Sequence, residues 1–493
     1  METKAAGSLT HGRLGKQILA FSLPLMLSNV LQVLFNMSDI AVVGRFSGPI
    51  ALGAVGSTAT LVTLFTGFLI GLGSGINALV ARFLGAGSRE ETQRTVHTAL
   101  ALSLIFGAVL LLLGELTAVP LLKLLGTKEE LIDGATIYLR IYFLGMPAMA
   151  LYNFGNAVLS AAGDTRRPLL YLLIAGILNV ALNLFFVIVC GMSADGVALA
   201  SILTQYLSSV LILIALVRTK DAYGVRPKCI RLHRDKLAPL LTLCCSAGLQ
   251  NAIFAVANLF IQAGVNRFDA LMVEGNSAAA NADGLIYDVM AAFHTACASF
   301  IGQNYGAGNR DRVRRTYWIS LSYSFAAGAV LGLSLVFFGR GFLALFTDSA
   351  EVAAAGMHRL CIMGFSYAIS AFMDCTIAAS RGLGRCVVPT IIVVLGSCVF
   401  RVIWVYTIFA SVGTIASLYL LYPVSWDADS RGRNSLLFLP VPQSIPEPGE
   451  TGNCLKKQMP RCECSEAFVL IRQSWRSGPN RPQHPCRTAP SHA

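Results

Sequence analysis

Long apolar runs separated by short polar segments dominate the chain from its N-terminal region to Trp426. Each run approaches or exceeds the roughly 20 residues that an α-helix needs to cross a bilayer. The pattern therefore predicts an all-α polytopic membrane protein. We expect spans at about 17–43, 51–81, 96–120, 133–160, 168–190, 195–217, 238–265, 276–303, 316–339, 350–378, 387–410 and 412–426. The last run is short and carries Pro423, so we expect an incomplete twelfth helix.

Composition supports the membrane assignment and limits the function. Only 13% of the 493 residues are charged, against roughly 25% in soluble domains. The formal net charge of +12 comes mainly from basic residues in the loops and the tail. We therefore expect the lipid bilayer, and no nucleic acid, as a partner. The 13 cysteines form no CxxC pair, which disfavours a metal site or a disulfide framework. No phosphate loop for ATP and no metalloenzyme motif occurs, so we expect a protein that is not an enzyme and has no cofactor.

Basic residues alternate between the loops. The N-terminal segment and the loops after even-numbered spans are rich in arginine and lysine, and residues 218–237 alone carry seven. The odd-numbered loops are poorer. Because basic loops remain on the cytoplasmic side, we expect a multi-pass protein of the cell membrane with a cytoplasmic N-terminus.

The chain contains an internal repeat. Gly85-Ala86-Gly87 recurs as Gly306-Ala307-Gly308, and Gly163 recurs at Gly384 with the same spacing. Six spans per copy is an even number, so both copies begin on the same side and the repeat is parallel, with its pseudo-twofold axis along the membrane normal. We expect an N-terminal six-helix lobe at 1–217, a cytoplasmic linker at 218–237 and a C-terminal lobe at 238–426, with a central cleft and rocker-type alternating access.

The character of the chain changes at Trp426. Residues 427–493 hold nine of the 18 prolines, nine basic residues and four cysteines. This composition is typical of disorder. A frameshift after Trp426 or a divergent tail would each explain it, and a truncated, inactive product is a further alternative.

One carboxylate, Asp39, lies inside the first apolar span. An acid there is costly in lipid and indicates a functional site, whereas the alternative is an acid solvated at the headgroup level. Asn179 and Asn183 are four residues apart on one face of the fifth span, and Thr204 on the sixth could reach the same depth. Oxygen ligands of this kind suit Na⁺ or a caged titrating acid, although amides also bond helices together.

The second half offers a different set of polar candidates. Substrate-cleft candidates are Gln250, Asn258, Gln262, Asp288 and Asp374. The two acids lie in apolar surroundings, so we expect both to face a cavity, where they would attract a cationic substrate.

Three stretches resemble the multidrug and toxic compound extrusion (MATE) family. They are DIAVVGRFSGPIALGAVG at 39–56, GQNYGAG at 302–308 and LLYPVSW at 420–426. The resemblance covers about residues 14–426 and is closer to the bacterial branches. It implies two six-helix lobes and a cation site at Asp39, Asn179 and Asn183. The last span departs from the family, whose twelfth helix would continue beyond Trp426.

The resemblance also implies a function. We expect multidrug efflux, in which drug-like and often cationic small molecules are exchanged for H⁺ or Na⁺ by an antiporter that acts as a monomer. No metal other than Na⁺ is expected. The alternative is a lipid-linked oligosaccharide flippase of related fold, which would more naturally show extra spans and a basic central cavity.

Overall fold

The structure is a computed structural model that describes residues 9–347, 349–427 and 429. These residues contain helices and turns and no strand. The helices are α1 (Leu14–Val42), α2 (Gly48–Gly85), α3 (Arg89–Leu124), α4 (Glu129–Leu144), α5 (Met146–Ala161), α6 (Arg166–Leu184), α7 (Ala194–Arg218), α8 (Arg234–Val265), α9 (Ala270–Gly306), α10 (Arg310–Leu343), α11 (Ala350–Gly382), α12 (Val387–Val393), α13 (Phe400–Trp404), α14 (Ala410–Val412) and α15 (Ile415–Tyr419). Short π-helical turns continue α1 and α6 and join α12 to α14.

The first two helices form a hairpin. Gly48 joins them with φ +84°, a backbone conformation that glycine adopts without a Cβ penalty. The segment before α1 and the end of α2 both lie beside Gln303. The Leu9 amide donates to Gln303 Oε1 at 3.0 Å, and Gly85 packs against the Gln303 carbonyl. The bundle therefore has two ends, which we call the Gly48 end and the Gln303 end.

The apolar spans appear as helices. Within the described residues nine helical segments are long and apolar enough to cross a membrane, and the bent pair α4–α5 makes a tenth. The first of these segments, Leu14–Gly85, includes both arms of the α1–α2 hairpin. The predicted fourth span is broken at Gly145, with a bend of 46°. Pro147, in the first turn of α5, explains the break because it cannot donate the backbone hydrogen bond of a continuous helix.

The repeat is visible in the contacts that join the two halves, α1–α7 and α8–α15. Gly85 and Gly306 make equivalent close approaches, because a Cβ on either would overlap a carbonyl oxygen of the facing helix. Asn29 Nδ2 donates to the Asp288 carbonyl at 2.8 Å, and Asn251 Nδ2 donates to the Gly67 carbonyl at 3.0 Å. To within one residue, Asn251 is the repeat equivalent of Asn29, and Asp288 is the repeat equivalent of Gly67. The two hydrogen bonds are therefore equivalent in the repeat.

The halves separate beyond these two amides. The Cβ positions of Gly56 on α2 and Gly284 on α9 have no heavy atom of the described chain within 4 Å. Further amides on α1 and α8, Asn36 and Asn258, are exposed. The two halves are therefore joined at the Gln303 end and leave a cleft that is open at the Gly48 end.

The segment between the halves is anchored on α3. The Arg226 amide donates to His97 Nε2 at 2.9 Å, and the His233 amide donates to Thr98 Oγ1 at 3.2 Å. Lys236, already within α8, is buried and forms an ion pair with the half-buried Glu91. The connection between the two halves therefore rests on the N-terminal half.

The last helical segment is short. After α15, helix resumes at residues 421–427. Tyr419, Leu421, Tyr422 and Trp426 pack into the core of the second half. Asp429 is buried and accepts a hydrogen bond from Ser397 Oγ. The rest of the predicted tail, residue 428 and residues 430–493, lies outside the described residues.

Candidate functional site

Four side chains from α1, α6 and α7 form a closed hydrogen-bonded ring. Asn183 Nδ2 donates to Asp39 Oδ1 at 2.5 Å and to Asn179 Oδ1 at 3.2 Å. Ser201 Oγ donates to Asp39 Oδ2 at 3.1 Å and accepts from Asn179 Nδ2 at 3.5 Å. The predicted trio of Asp39, Asn179 and Asn183 is therefore brought together by the fold.

The surroundings of the ring are apolar and aromatic. Val42, Val43 and Val197 pack with Tyr138 of α4 beside it, and Tyr138 and Tyr142 stack at 6.1 Å between ring centroids. Phe35, one turn before Asp39, lies against Gly176 of α6. This packing excludes water from most of the ring, and a charge in such a place needs compensation.

No basic side chain of the described part of the chain supplies that compensation. None of the ion pairs among the described residues involves Asp39. Asn183 is fully buried, and its Oδ1 has no hydrogen-bond partner in this part of the chain. The carboxylate thus lies beside an amide oxygen whose hydrogen-bonding capacity is not used.

Within the described residues, Thr204 makes no hydrogen bond to the carboxylate. Its Oγ1 donates to the carbonyls of Ala200 and Ser201 on its own helix, each at 3.0 Å. The hydroxyl that bonds Asp39 belongs to Ser201, one turn earlier on α7. A helical wheel of α7 could have found Ser201, since residues three apart lie on one face.

The oxygen atoms of the ring can bind an alkali cation or a proton. Carboxylate, amide and hydroxyl oxygens are the ligands that hard cations prefer. No cluster of three or more His, Cys, Asp or Glu side chains suited to a metal ion occurs within the described residues. Asp39, Asn179, Asn183 and Ser201 are the residues that would hold the ion, and a proton on Asp39 would compensate the same charge.

The C-terminal half contains a second polar network, built around an ion pair. Arg359 on α11 donates to Asp283 on α9 through Nε, at 2.9 Å, and through Nη2. Its Nη1 donates to Asn276 Oδ1 at 2.6 Å. Tyr367 donates to Asp283, and Tyr419 donates to Asn276 Oδ1 at 3.0 Å. Because Tyr419 belongs to α15, the network ties the last helices to α9 and α11.

A further arginine lies nearby on α13. Arg401 is 3% exposed and its Nε donates to Ser425 Oγ at 3.2 Å. Its guanidinium lies over the ring of Tyr422, 4.8 Å from the centroid, and Arg359 lies over the same ring at 5.5 Å. Neither arginine nor Asp283 was among the residues predicted from the sequence, although the rule that singled out Asp39, a lone charge in an apolar span, applies equally to Arg401.

The predicted cleft candidates do not lie together. Gln250 and Asp374 are buried, and Gln250 Oε1 accepts from Arg381 Nη2 at 3.1 Å. The expectation that Asp374 faces a cavity disagrees with this burial, since only 8% of Asp374 is exposed.

The remaining candidates lie closer to the cleft. Gln262 Oε1 accepts from Asn276 at 3.3 Å, so it belongs to the ion-pair network. Asp288 is half-buried where the halves meet. Asn258 is exposed on the open side of that junction.

A family model decides the identity of the fold. The MatE model matches residues 24–185 and, a second time, residues 247–407. The chain belongs to the MatE family. It is therefore a multidrug and toxic compound extrusion transporter, a multi-span membrane protein and not an enzyme. The double match follows the two halves of the repeat.

Two relatives and one solved structure are similar to the chain over most of its length. The chain is 31% identical to the "Probable multidrug resistance protein YpnP" of Bacillus subtilis, over 73% of this chain and 81% of that protein. It is 27% identical to the "FAD transporter" of Shewanella oneidensis, over 70% of this chain and 77% of that protein. An outward-facing multidrug resistance MATE family transporter superposes with a TM-score of 0.81, 23% identity and coverage of 88% and 98%.

Proposed function

We propose that this MATE transporter exports small drug-like organic molecules in exchange for H⁺ or Na⁺, and that Asp39 carries the coupling ion. The observation that carries the proposal is the ring of Asp39, Asn179, Asn183 and Ser201, which surrounds a carboxylate without a basic partner. A buried charge of this kind is costly, and a proton or Na⁺ supplies the compensating charge.

Ion binding can be coupled to movement through the helices that meet at the ring. Asp39 lies in the last turn of α1, directly before the π-helical turn Val43–Ser47 that leads into the hairpin. α1 also contributes Asn29 to the junction between the halves. Repacking of α1 on neutralisation of Asp39 would therefore reach both the ion site and the cleft.

Several finer features stay predictions. They are the choice between H⁺ and Na⁺, rocker-type alternating access, the cationic character of the substrates, a cytoplasmic N-terminus and a monomeric state. The flippase alternative and an inactive product also stay open, and transport by the purified chain distinguishes between them.

The test is gradient-driven transport in proteoliposomes. A ΔpH or a Na⁺ gradient is imposed separately, and transport of a fluorescent panel that includes ethidium and riboflavin is followed. We expect transport with one of the gradients and its loss in Asp39→Asn, which keeps the shape of the side chain and removes its charge. Asp133→Asn, at an exposed position on α4, is the matched control. Undiminished gradient-driven transport by Asp39→Asn would contradict the proposal.

A further inference from the structure

The cleft walls can be traced from the bonds that join the two halves. On α1, Ser22 Oγ and Asn29 Nδ2 both donate to carbonyls of α9. Positions seven apart lie nearly on one helix face, so Asn36 continues this face beyond the junction. On α8, Cys244 Sγ and Asn251 Nδ2 donate to carbonyls of α2, and Asn258 continues that face in the same way.

Asn36 and Asn258 are equivalent residues of the repeat. Their separation along the chain is the same as that of Asn29 and Asn251. Both are exposed, and among the described residues neither has a hydrogen-bond partner in the protein. An amide with unused hydrogen-bonding capacity is costly against lipid, so both belong to the cleft between the halves rather than to the outer surface.

The facing helices supply matching groups. On α9, the Asp288 carbonyl marks the junction, and Asn281 and Ser277 lie two and three helical turns further toward the Gly48 end. On α2, Gly67 marks the junction, and Thr63 and Thr60 lie one and two turns further in the same direction. Asn281, Ser277 and Thr63 are exposed. These positions of the cleft faces therefore present amides and hydroxyls, and Phe254, between Asn251 and Asn258 on α8, has the Arg401 guanidinium 5.6 Å from its ring centroid.

Carboxylates of the described chain occur on these faces only at the two ends of the cleft. Asp288 lies half-buried at the junction, and Glu274 lies at the mouth in the second turn of α9. Asp39 points away from the cleft into its ring with α6 and α7. Recognition of an organic cation relies on carboxylates or on aromatic faces that attract the charge, and the amide and hydroxyl positions in the middle of these walls offer neither.

We infer that the cleft binds uncharged, hydrogen-bonding organic molecules, such as polyols and hydroxylated amides, in preference to permanent organic cations, and that Asn36 and Asn258 are the residues that select them. This inference rests on the proposed transport function and replaces its expectation of cationic substrates. Two amides related by the repeat approach a ligand from both halves. A ligand that bridges them spans the surfaces that move relative to each other.

Equilibrium binding to the purified full chain in detergent, without any ion gradient, tests the inference. The probes are riboflavin and chloramphenicol, which are uncharged and rich in hydroxyl or amide groups, and ethidium and tetraphenylphosphonium, which are permanent cations. We expect at least one uncharged probe to bind more tightly than both cations. The double variant Asn36→Leu and Asn258→Leu should weaken its binding by about tenfold or more, since each amide contributes a hydrogen bond.

A second double variant tests how charge, instead of hydrogen bonding, affects the binding preference. Asn36→Asp with Asn258→Asp places carboxylates at the same two points, and we expect it to shift the preference toward ethidium by about tenfold. The matched control is Ser322→Leu, an exposed hydroxyl on α10 that bonds its own helix, and it should leave all four affinities unchanged.

Two results would overturn the inference. One is tighter binding of either cation than of both uncharged probes. The other is an affinity for the uncharged probes that stays within twofold in the double leucine variant while that variant remains folded by its elution volume and melting profile. Neither result depends on ion coupling, so failure of the Asp39 proposal in transport assays would leave this measurement intact.

Discussion

The buried polar network of the N-terminal half is built around a lone carboxylate, whereas that of the C-terminal half is built around an ion pair. Gly191 and Gly413, both with φ +67°, are equivalent in the repeat and align α6 with the α12–α14 segment. When the two halves are aligned by the spacing of these two glycines, Asn179 of the hydrogen-bonded ring corresponds to Arg401, and Asp39 corresponds to Ile261. Tyr138, beside the ring, corresponds to Arg359 with the spacing of Gly163 and Gly384. The C-terminal half thus has arginines where the N-terminal half has an amide and a phenol.

The difference lies in how each charge is compensated. Arg359 has Asp283 as an internal partner, so its charge is balanced by the fold. Asp39 has only amides and a hydroxyl, which solvate a charge without neutralising it. We infer that the Asp39 charge needs an external ion, whereas the Arg359 charge, paired with Asp283, needs none. This asymmetry follows from the position of Asp283 beside Arg359 and from the lack of a basic partner of Asp39 within the described residues.

The largest expected effect comes from breaking the internal pair. Arg359→Met leaves Asp283 without its charge partner in a buried network. Removal of one partner of a buried ion pair costs about 3–5 kcal/mol. We expect a correspondingly lower thermal midpoint of the purified protein in detergent, together with loosening of the last helices that Tyr419 ties to Asn276.

The matched control removes both charges of that pair. In Arg359→Met with Asp283→Leu, no charge is left uncompensated, and an apolar replacement of this kind is often close to neutral. The double variant should therefore be more stable than Arg359→Met alone. A double variant that is as unstable as the single one would show that the ion pair is not what Arg359 contributes.

An intermediate effect is expected from giving the N-terminal ring the arginine of its counterpart. Asn179→Arg would place a guanidinium beside Asp39, where an ion pair near 4 Å is worth roughly 3 to 4 kcal/mol at an effective dielectric constant of about 20. A fixed positive charge then competes with the external ion. We expect the apparent affinity for the coupling ion in proteoliposome transport to fall by about 100-fold.

Asn179→Leu separates the charge from the loss of the amide. It removes the same hydrogen bonds but adds no positive charge, so it should weaken ion binding much less than Asn179→Arg. Equal effects of the two variants would mean that compensation of Asp39 is not the origin of the asymmetry between the halves.

The sequence predicted most of the fold because apolar length and loop charge are local properties. It also predicted the meeting of Asp39 with Asn179 and Asn183, since the three share a depth and the two amides share a face. It did not predict the Asp283–Arg359 pair, because the pairing depends on how α9 and α11 pack, and spacing along the chain does not reveal this. The break at Gly145 was missed because the hydrophobic run continues through it.

The smallest expected effect concerns which hydroxyl of α7 belongs to the ring, Ser201 or Thr204. Ser201→Ala removes the donor to Asp39 Oδ2, whereas Thr204→Val removes a hydroxyl that bonds only its own helix. One hydrogen bond contributes about 1 kcal/mol, so Ser201→Ala should weaken coupling-ion affinity about fivefold and Thr204→Val by less than twofold. The reverse order, measured as the ion concentration for half-maximal transport, would place the ion one turn further along α7, where Thr204 and Gln205 would replace Ser201 as its neighbours.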